Sequence, residues 1–425
     1  MPSEIQLSLE LNQFFKSIYR HRHLKLPLTK KDDLVTDFIA RCDVYNSHLR
    51  DYATQEKDQL AELIPEILEV SIEVQYCIAL TMTSFLSGNI KLAYDTFDKT
   101  FSNRNIYKHL RRISIPLSDL CNEKKPLFRV RKSEKPLDKR KDLFHIPFSM
   151  RHLVGAQRYS VAGLPCLYLG TSIYICWQEM GKPDLGKLFI SSFKSKDSKS
   201  QVLNLAAEFL YHRMRNSPYS EDISFKSNSL KISYLILWPL IAACNYKKSD
   251  ENSNFIQEYI IPNLLMQWIS TKDRIPISGI AYRSTKFSKS TQSPQAVNIV
   301  LPPKVDYAQT IKYDFCPTLC SIFDITPPVS WQILKTLNYS VGGEMTSEQL
   351  KAIDVLKKKE VMRIRNFDED LVSLYPLTDF YKLEIFIHRY MNYAELPPRK
   401  DGDKMAAELS NKLKRIDDMS NQLPD

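Results

Sequence analysis

Glycine is rationed along this chain. Only Gly88 precedes residue 155, and five of the ten glycines fall between Gly155 and Gly186. Glycine lets a backbone turn sharply or pass close to another group, so the two parts of the chain point to different structures. Residues 1–125 read as a helical N-terminal region. Ser3 is placed to cap a helix to about Arg20, with Ile5, Leu9, Phe14 and Ile18 among its apolar positions. Asp32 or Asp33 opens the next, with Leu34, Phe38, Ile39 and Cys42 as the buried stripe. Leu60, Leu63, Ile64, Ile67 and Leu68 keep helical spacing. The following Val70–Ile78 also alternates like a strand, and helix is the preferred reading.

Polar and charged residues gather at Leu117–Pro126, and after Pro126 short apolar segments separated by turn residues predict strands. The candidates are Leu127–Arg131, Cys166–Leu169, Leu188–Phe193, Gly279–Tyr282 and Val297–Leu301. Helices are predicted at Ile173–Met180, Val202–Met214 and Phe255–Ile269, with Pro262 expected to kink or break the last. Arg215–Ser229 and Lys286–Gln295 read as loops. Beyond Pro302-Pro303 a C-terminal extension has two expected helices, Leu377–Met391 and Asp403–Met419. The last could pack on the body of the protein or on a second subunit, so a homo-oligomer is compatible with it. The fold class is α+β. Its divisions are 1–125, 126–303 and 304–425, within the two or three domains that 425 residues allow.

A composition of 43% hydrophobic and 25% charged residues is that of a globular protein. The longest strongly apolar run, Tyr234–Cys244, is too short to cross a bilayer and contains Pro239. The N-terminus has no basic stretch leading into an apolar one. A cytoplasmic protein with eight reduced cysteines is expected. Cys316 and Cys320 have C-x3-C spacing but no second Cys or His pair nearby, so no metal is assigned. His21 and His23 read as solvated surface. The net charge of +10 suits an anionic partner. The basic residues are dispersed, and runs such as Lys139-Arg140-Lys141 and Lys357-Lys358-Lys359 read as solvated faces. No nucleic-acid-binding signature is present.

The chemistry-bearing residues cluster in the glycine-rich window. Arg129 lies in Leu127-Phe128-Arg129-Val130, where a strand turns it away from its apolar neighbours. A buried guanidinium needs a partner: either a carboxylate of this protein or a ligand phosphate, which it can grip with two parallel bonds. Arg131, on the same strand face, could share the role. Arg158 and Tyr159 precede the Ser160–Gly163 turn, and Tyr168 follows on a strand. Tyr168 is either a core tyrosine with a satisfied hydroxyl or a stacking platform. Glu179 lies in the predicted Ile173–Met180 helix, beside Trp177 and Met180. It is either a surface residue or a carboxylate aimed into a pocket, where it could stabilise positive charge developing on a sugar. Ser284 closes Gly279–Ser284 as a turn residue or as a donor to an amide or phosphate. No G-x-S-x-G elbow, dinucleotide glycine motif or P-loop occurs.

Taken in order, these segments resemble the RES domain family, named for an arginine, a glutamate and a serine. Phe128-Arg129 resembles its opening segment, RYSVAGLPCLYLG its turn and Tyr-Leu strand, and Glu179 the glutamate of the following helix. GIAYRS, which contains Ser284, and VNIVLP resemble its two late strands. The resemblance covers about residues 125–303 and implies a mixed β core like that of ADP-ribosyltransferases. It also implies consumption of NAD+, by phosphorolysis or hydrolysis, in a toxin-like or defence-associated bacterial protein held in check by an antitoxin. By the same resemblance Arg129 takes the diphosphate, Tyr168 stacks on nicotinamide or its ribose, and Glu179 stabilises the cation. Arg158, Tyr159, Arg131 and Ser284 contact substrate or inorganic phosphate, and no metal or cofactor is required. Two other readings stand beside it: ADP-ribosylation of a macromolecule, and a non-catalytic scaffold around a degenerate domain. The long stretch from Ser191 to Ser253 and both flanks depart from a compact toxin.

Overall fold

Helix signals in the first 113 residues resolve into α1 (Pro2–Arg20), α2 (Leu34–Gln55), α3 (Gln59–Leu86), α4 (Ile90–Phe101) and α5 (Arg104–Ile113). The computed structural model describes residues 2–207, 210, 227–250, 253–272, 276–286, 296–336, 345–358 and 374–398. Asp33 caps α2 by accepting from the Val35 and Thr36 N–H groups, and Asp58, Asn89 and Asn103 cap the next three helices. Ser3 lies inside α1 rather than capping it. The ambiguous Val70–Ile78 segment is helical, within α3. The buried stripe of α1 runs through Leu11, Phe14, Phe15 and Ile18, whereas Ile5 and Leu9 are 65% and 50% exposed. Ile39 on α2 is exposed as well. Ile39 thus departs from the buried stripe expected of α2, while α1 packs chiefly on α3 and a later helix, which leaves its other side to solvent.

The chain then enters a sheet. In order come β1 (Ser114–Pro116), α6 (Leu117–Leu120), β2 (Leu127–Lys132), β3 (Leu167–Gly170) and α7 (Ile173–Glu179). Next are β4 (Leu188–Ser195), β5 (Gln201–Asn204), α8 (Asn228–Ile236), α9 (Trp238–Cys244), α10 (Ile260–Thr271), β6 (Ile277–Arg283) and β7 (Val297–Leu301). The C-terminal segment adds α11 (Tyr307–Lys312), α12 (Pro317–Ile322), β8 (Phe323–Ile325), β9 (Val329–Ser330), α13 (Ile333–Thr336), α14 (Ser347–Lys358), α15 (Asp379–Tyr390) and β10 (Ala394–Glu395). The strand order is β1-β5-β6-β7-β3-β2-β4-β8-β10, with β9 also on β4. Only β5 and β6 run parallel among the described pairs. The fold is α+β, with a helical N-terminal region.

Three expectations change. The helix predicted over Val202–Met214 begins instead as strand β5, because Val202 and Leu203 are buried between β1 and β6 and pairing overrides local propensity. Most of that segment beyond residue 207 lies outside the described residues. Pro262 neither kinks nor breaks its helix. α10 starts at Ile260, so Pro262 sits in the first turn, where an N–H has no intrahelical partner to lose. The C-terminal segment, expected to be mainly helical, also supplies β8, β9 and β10. The Asp403–Met419 helix and nearly all of the two predicted loops lie outside the described residues.

Three cores organise the described residues. The largest joins α1–α5 to α8–α10 and one face of the central strands. A second lies under the opposite face and includes Cys316 and Cys320. A third packs α7 and β2 against Tyr375, Phe380, Leu383 and Ile387. Among the described residues no group of three or more His, Cys, Asp or Glu is placed to hold a metal, and no helix is long and apolar enough to cross a membrane.

One buried cation weakens the first core. Lys231 on α8 is fully buried, and its Nζ donates to Ser8 Oγ at 2.7 Å. Burial pushes its pKa from 10.5 down to about 8. The folded state therefore disfavours the ammonium, and this cost is full below about pH 8 and vanishes as pH rises through 10.5. Lys231→Met, which conserves volume, is expected to stabilise the protein by about 2 kcal/mol at pH 7. Urea denaturation at pH 7 and again near pH 10 checks this, with the gain shrinking at the higher pH.

Candidate functional site

Strand alternation places the first residue. Phe128 enters the third core while Arg129 turns to the other face of β2, where it is half-buried and lines a cleft of about 610 Å³. Its Nη1 donates to the Tyr168 carbonyl at 3.2 Å. Among the described residues no carboxylate lies within 4.0 Å of the guanidinium, and its other N–H groups have no protein acceptor. Burial pushes its pKa down to about 10, so it stays charged at neutral pH.

The turn before β3 is braced by Tyr168. The Tyr159 N–H donates to the Tyr168 hydroxyl at 3.3 Å, and that hydroxyl donates to Ser160 Oγ at 3.2 Å. Gly163 completes the turn at φ +83°, a conformation that favours glycine. Tyr168 thus has a satisfied hydroxyl, as a core tyrosine would, and also lines the cleft. Burial raises its pKa, which keeps the phenol neutral. Arg158 is nearly buried. It donates to the Cys244 carbonyl at 3.2 Å and to Thr285 Oγ1 at 2.8 Å, and lies 4.9 Å over the Tyr259 ring. It ties the turn to the end of α9 and to the loop after β6.

Glu179 is delivered by close packing. A Cβ at Gly170 would stand 2.5 Å from Ile175 Cγ2 and 2.6 Å from Cys176 Sγ. Glycine there lets α7 sit directly against the end of β3, with Glu179 as its last residue. Glu179 Oε1 accepts from Asn298 Nδ2 at 2.8 Å, and its carbonyl accepts from Lys286 Nζ at 2.8 Å. Cys176 also lines the cleft, but its thiol donates to the Phe128 carbonyl at 3.3 Å and burial pushes its pKa up to about 12. It is no nucleophile at neutral pH.

Arg129, Arg158, Tyr168 and Glu179 therefore share one cleft. The other three predicted site residues do not line it. Arg131 is exposed and donates to the Asp142 carbonyl at 2.9 Å, because β2 leaves the sheet's interior at that point. Tyr159 is fully buried, its ring 4.6 Å from that of Tyr282. Ser284 is fully buried, donating its N–H to the Ala296 carbonyl and accepting at Oγ from the Lys286 N–H. It is a turn residue that aims Thr285 and Lys286 at the cleft.

Sequence reasoning missed several lining residues. Asn298 stood in the quoted VNIVLP segment with no role, and its pairing opposite Gly170 brings it to Glu179. Lys247, Lys248 and Tyr259 belong to elements that only the fold brings to the sheet, and no local signal marks them. Among the described residues the lining holds five cations (Arg129, Arg158, Lys247, Lys248 and Lys286) against the single carboxylate Glu179. Such a surface concentrates anions.

No family model matches the chain, and no solved structure matches it, so the likeness to the RES family rests on the segments quoted above. A curated protein of Bacillus subtilis (strain 168), described as "Putative toxin YopC", is 30% identical over 259 residues. The match covers 60% of this chain and 58% of that protein, so the chain spans less than two thirds of the relative's length.

Proposed function

We propose that this protein is a toxin-like enzyme that degrades NAD+ by cleaving the bond between nicotinamide and ribose. The observation that carries the reading is one cleft holding both a charged arginine with donors to spare and a carboxylate oriented by an amide. NAD+ presents a diphosphate to match Arg129 and a cationic leaving group to match Glu179. Nicotinamide leaves with the bonding electron pair. The ribose carbon becomes oxocarbenium-like, and the Glu179 carboxylate stabilises that charge at a fixed place. The Asn298 amide bond to Oε1 holds the carboxylate ready without neutralising it. Tyr168 offers a ring to nicotinamide or its ribose. A water oxygen then attacks to give ADP-ribose and a proton, or a phosphate oxygen attacks to give ADP-ribose 1-phosphate. The cations beside Arg158 suit the second acceptor. The description of the Bacillus subtilis relative as a putative toxin agrees with an activity that must be restrained, and an antitoxin is the expected partner.

Mass spectrometry of NAD+ incubated with purified protein, with and without phosphate, is the test. Free nicotinamide with ADP-ribose, or with its phosphate in the phosphate arm only, is the expected result and identifies the acceptor. Label from NAD+ retained on a macromolecule would instead establish transfer. Intact NAD+ in both arms would remove the enzymatic reading and leave the scaffold.

A further inference from the structure

We infer that Glu384, from the C-terminal segment, is a positioning residue of the cleft: it grips the N-terminus of α7 and so sets where Glu179 stands. The inference rests on the role of Glu179 proposed above.

The geometry is direct. Glu384 on α15 is buried, and its Oε1 accepts from the Ile173 N–H at 2.6 Å, across 211 residues of chain. The same oxygen accepts from the Tyr375 hydroxyl. Ile173 is the first residue of α7 and Glu179 its last. Ser172 caps the helix from within, accepting the Ile175 N–H at 3.1 Å, so the Ile173 N–H is left for Glu384 to satisfy. The contact continues outward. Phe380 packs edge-on to Tyr174 at 5.3 Å, 5.6 Å from the Trp177 ring and 4.9 Å from Trp331.

A helix of seven residues cannot hold its own orientation in water. Its direction comes from what grips it. One side rests on β3 through Gly170, and the other rests on the C-terminal segment. Ile173 and Glu179 are about 9 Å apart along the axis at 1.5 Å per residue, so a tilt of about 10° at the first would move the second by ~1.6 Å. A displacement of about 1 Å in a reacting group can cost about a hundredfold in rate. Arg129 and Tyr168 stand on β2 and β3, whose pairing does not involve Glu384. Loss of the grip should therefore act on turnover more than on substrate binding.

Three variants of the full chain test this: Glu384→Ala, Glu384→Asp and Glu384→Gln. Alanine removes the acceptor, and aspartate withdraws it by a methylene. Glutamine keeps an oxygen for the Ile173 N–H. Burial pushes the Glu384 pKa up to about 8, so the amide also matches the neutral acid that prevails at pH 7. The Ala and Asp variants are expected to lose at least about tenfold in kcat for NAD+ cleavage, with KM within about threefold. Amide hydrogen exchange over residues 173–180 should quicken in the same two variants, and Gln should restore both readouts. Unchanged exchange over 173–180 in Ala or Asp overturns the proposal, as does a Gln variant as impaired as Asp. If alanine prevents folding, the Asp and Gln pair still decides. If the wild-type protein leaves NAD+ intact, the proposed function fails, while the exchange arm continues to report on the grip.

Discussion

Glu179→Gln is expected to reduce NAD+ cleavage by about 10²–10³-fold while leaving NAD+ binding within about tenfold of wild type. The amide has the shape of the carboxylate without its charge, so it cannot stabilise the oxocarbenium-like ribose. On the function proposed above, binding falls to Arg129 and the lysines that line the cleft. The fold should be untouched, since the Glu179 side chain is half-buried and, among the described residues, hydrogen-bonds Asn298 alone. Nicotinamide release measures the first quantity and titration calorimetry with NAD+ the second. Cleavage within about twofold of wild type would take Glu179 out of the mechanism. Loss of binding together with cleavage would instead point to a damaged cleft.

Acidification is expected to destabilise the protein steeply between pH 6.5 and 4, through two buried histidines. His145 is fully buried. Its Nδ1–H donates to the Ile146 carbonyl at 2.8 Å and its Nε2 accepts the Cys316 N–H at 2.9 Å, which requires the neutral ring. His109 is buried beside Ser233 Oγ at 2.9 Å. Burial lowers both from 6.5 to about 4, with Lys108 and Arg112 adding to the effect at His109 and Arg129 to that at His145. The folded pKa lies below the unfolded one. The stability these rings contribute is therefore fully present above 6.5 and lost as pH falls through about 4. Each shift corresponds to about 3 kcal/mol, and the pair is comparable with much of an ordinary protein's stability. Urea denaturation at pH 7 and pH 4.5 should show the loss. His145→Gln combined with His109→Gln should flatten the pH dependence even if it lowers stability at pH 7. Equal acid sensitivity in the double variant would assign the effect to other groups.

The parts of this molecule that were legible in its sequence are those governed by neighbours along the chain. A helix opened by Asp32 or Asp33, strand alternation through Phe128 and Arg129, and a short helix carrying Glu179 all follow from local pattern. What was not legible depends on partners far away. Val202 and Leu203 read as helix until β1 and β6 enclose them. Ile5 and Leu9 keep core spacing on a face that nothing described covers. In the cleft, Arg129, Arg158, Tyr168 and Glu179 were found through residue type and order. Arg131, Tyr159 and Ser284 shared that order, yet strand position and burial keep them from the lining. Asn298 was visible as a letter and became informative only once β7 paired with β3. Lys247, Lys248 and Tyr259 had no signature, because surface cations look alike until a fold turns them toward a common hollow.

The bond from Ile173 to Glu384 also sets an order of events during synthesis. At about 5–20 residues per second, a ribosome needs on the order of ten to forty seconds to add the 211 residues that separate them. Through that interval the nascent polypeptide already carries its arginine and glutamate but lacks the late anchor. Until Glu384 arrives, α7 has only its contacts with the strands to orient it.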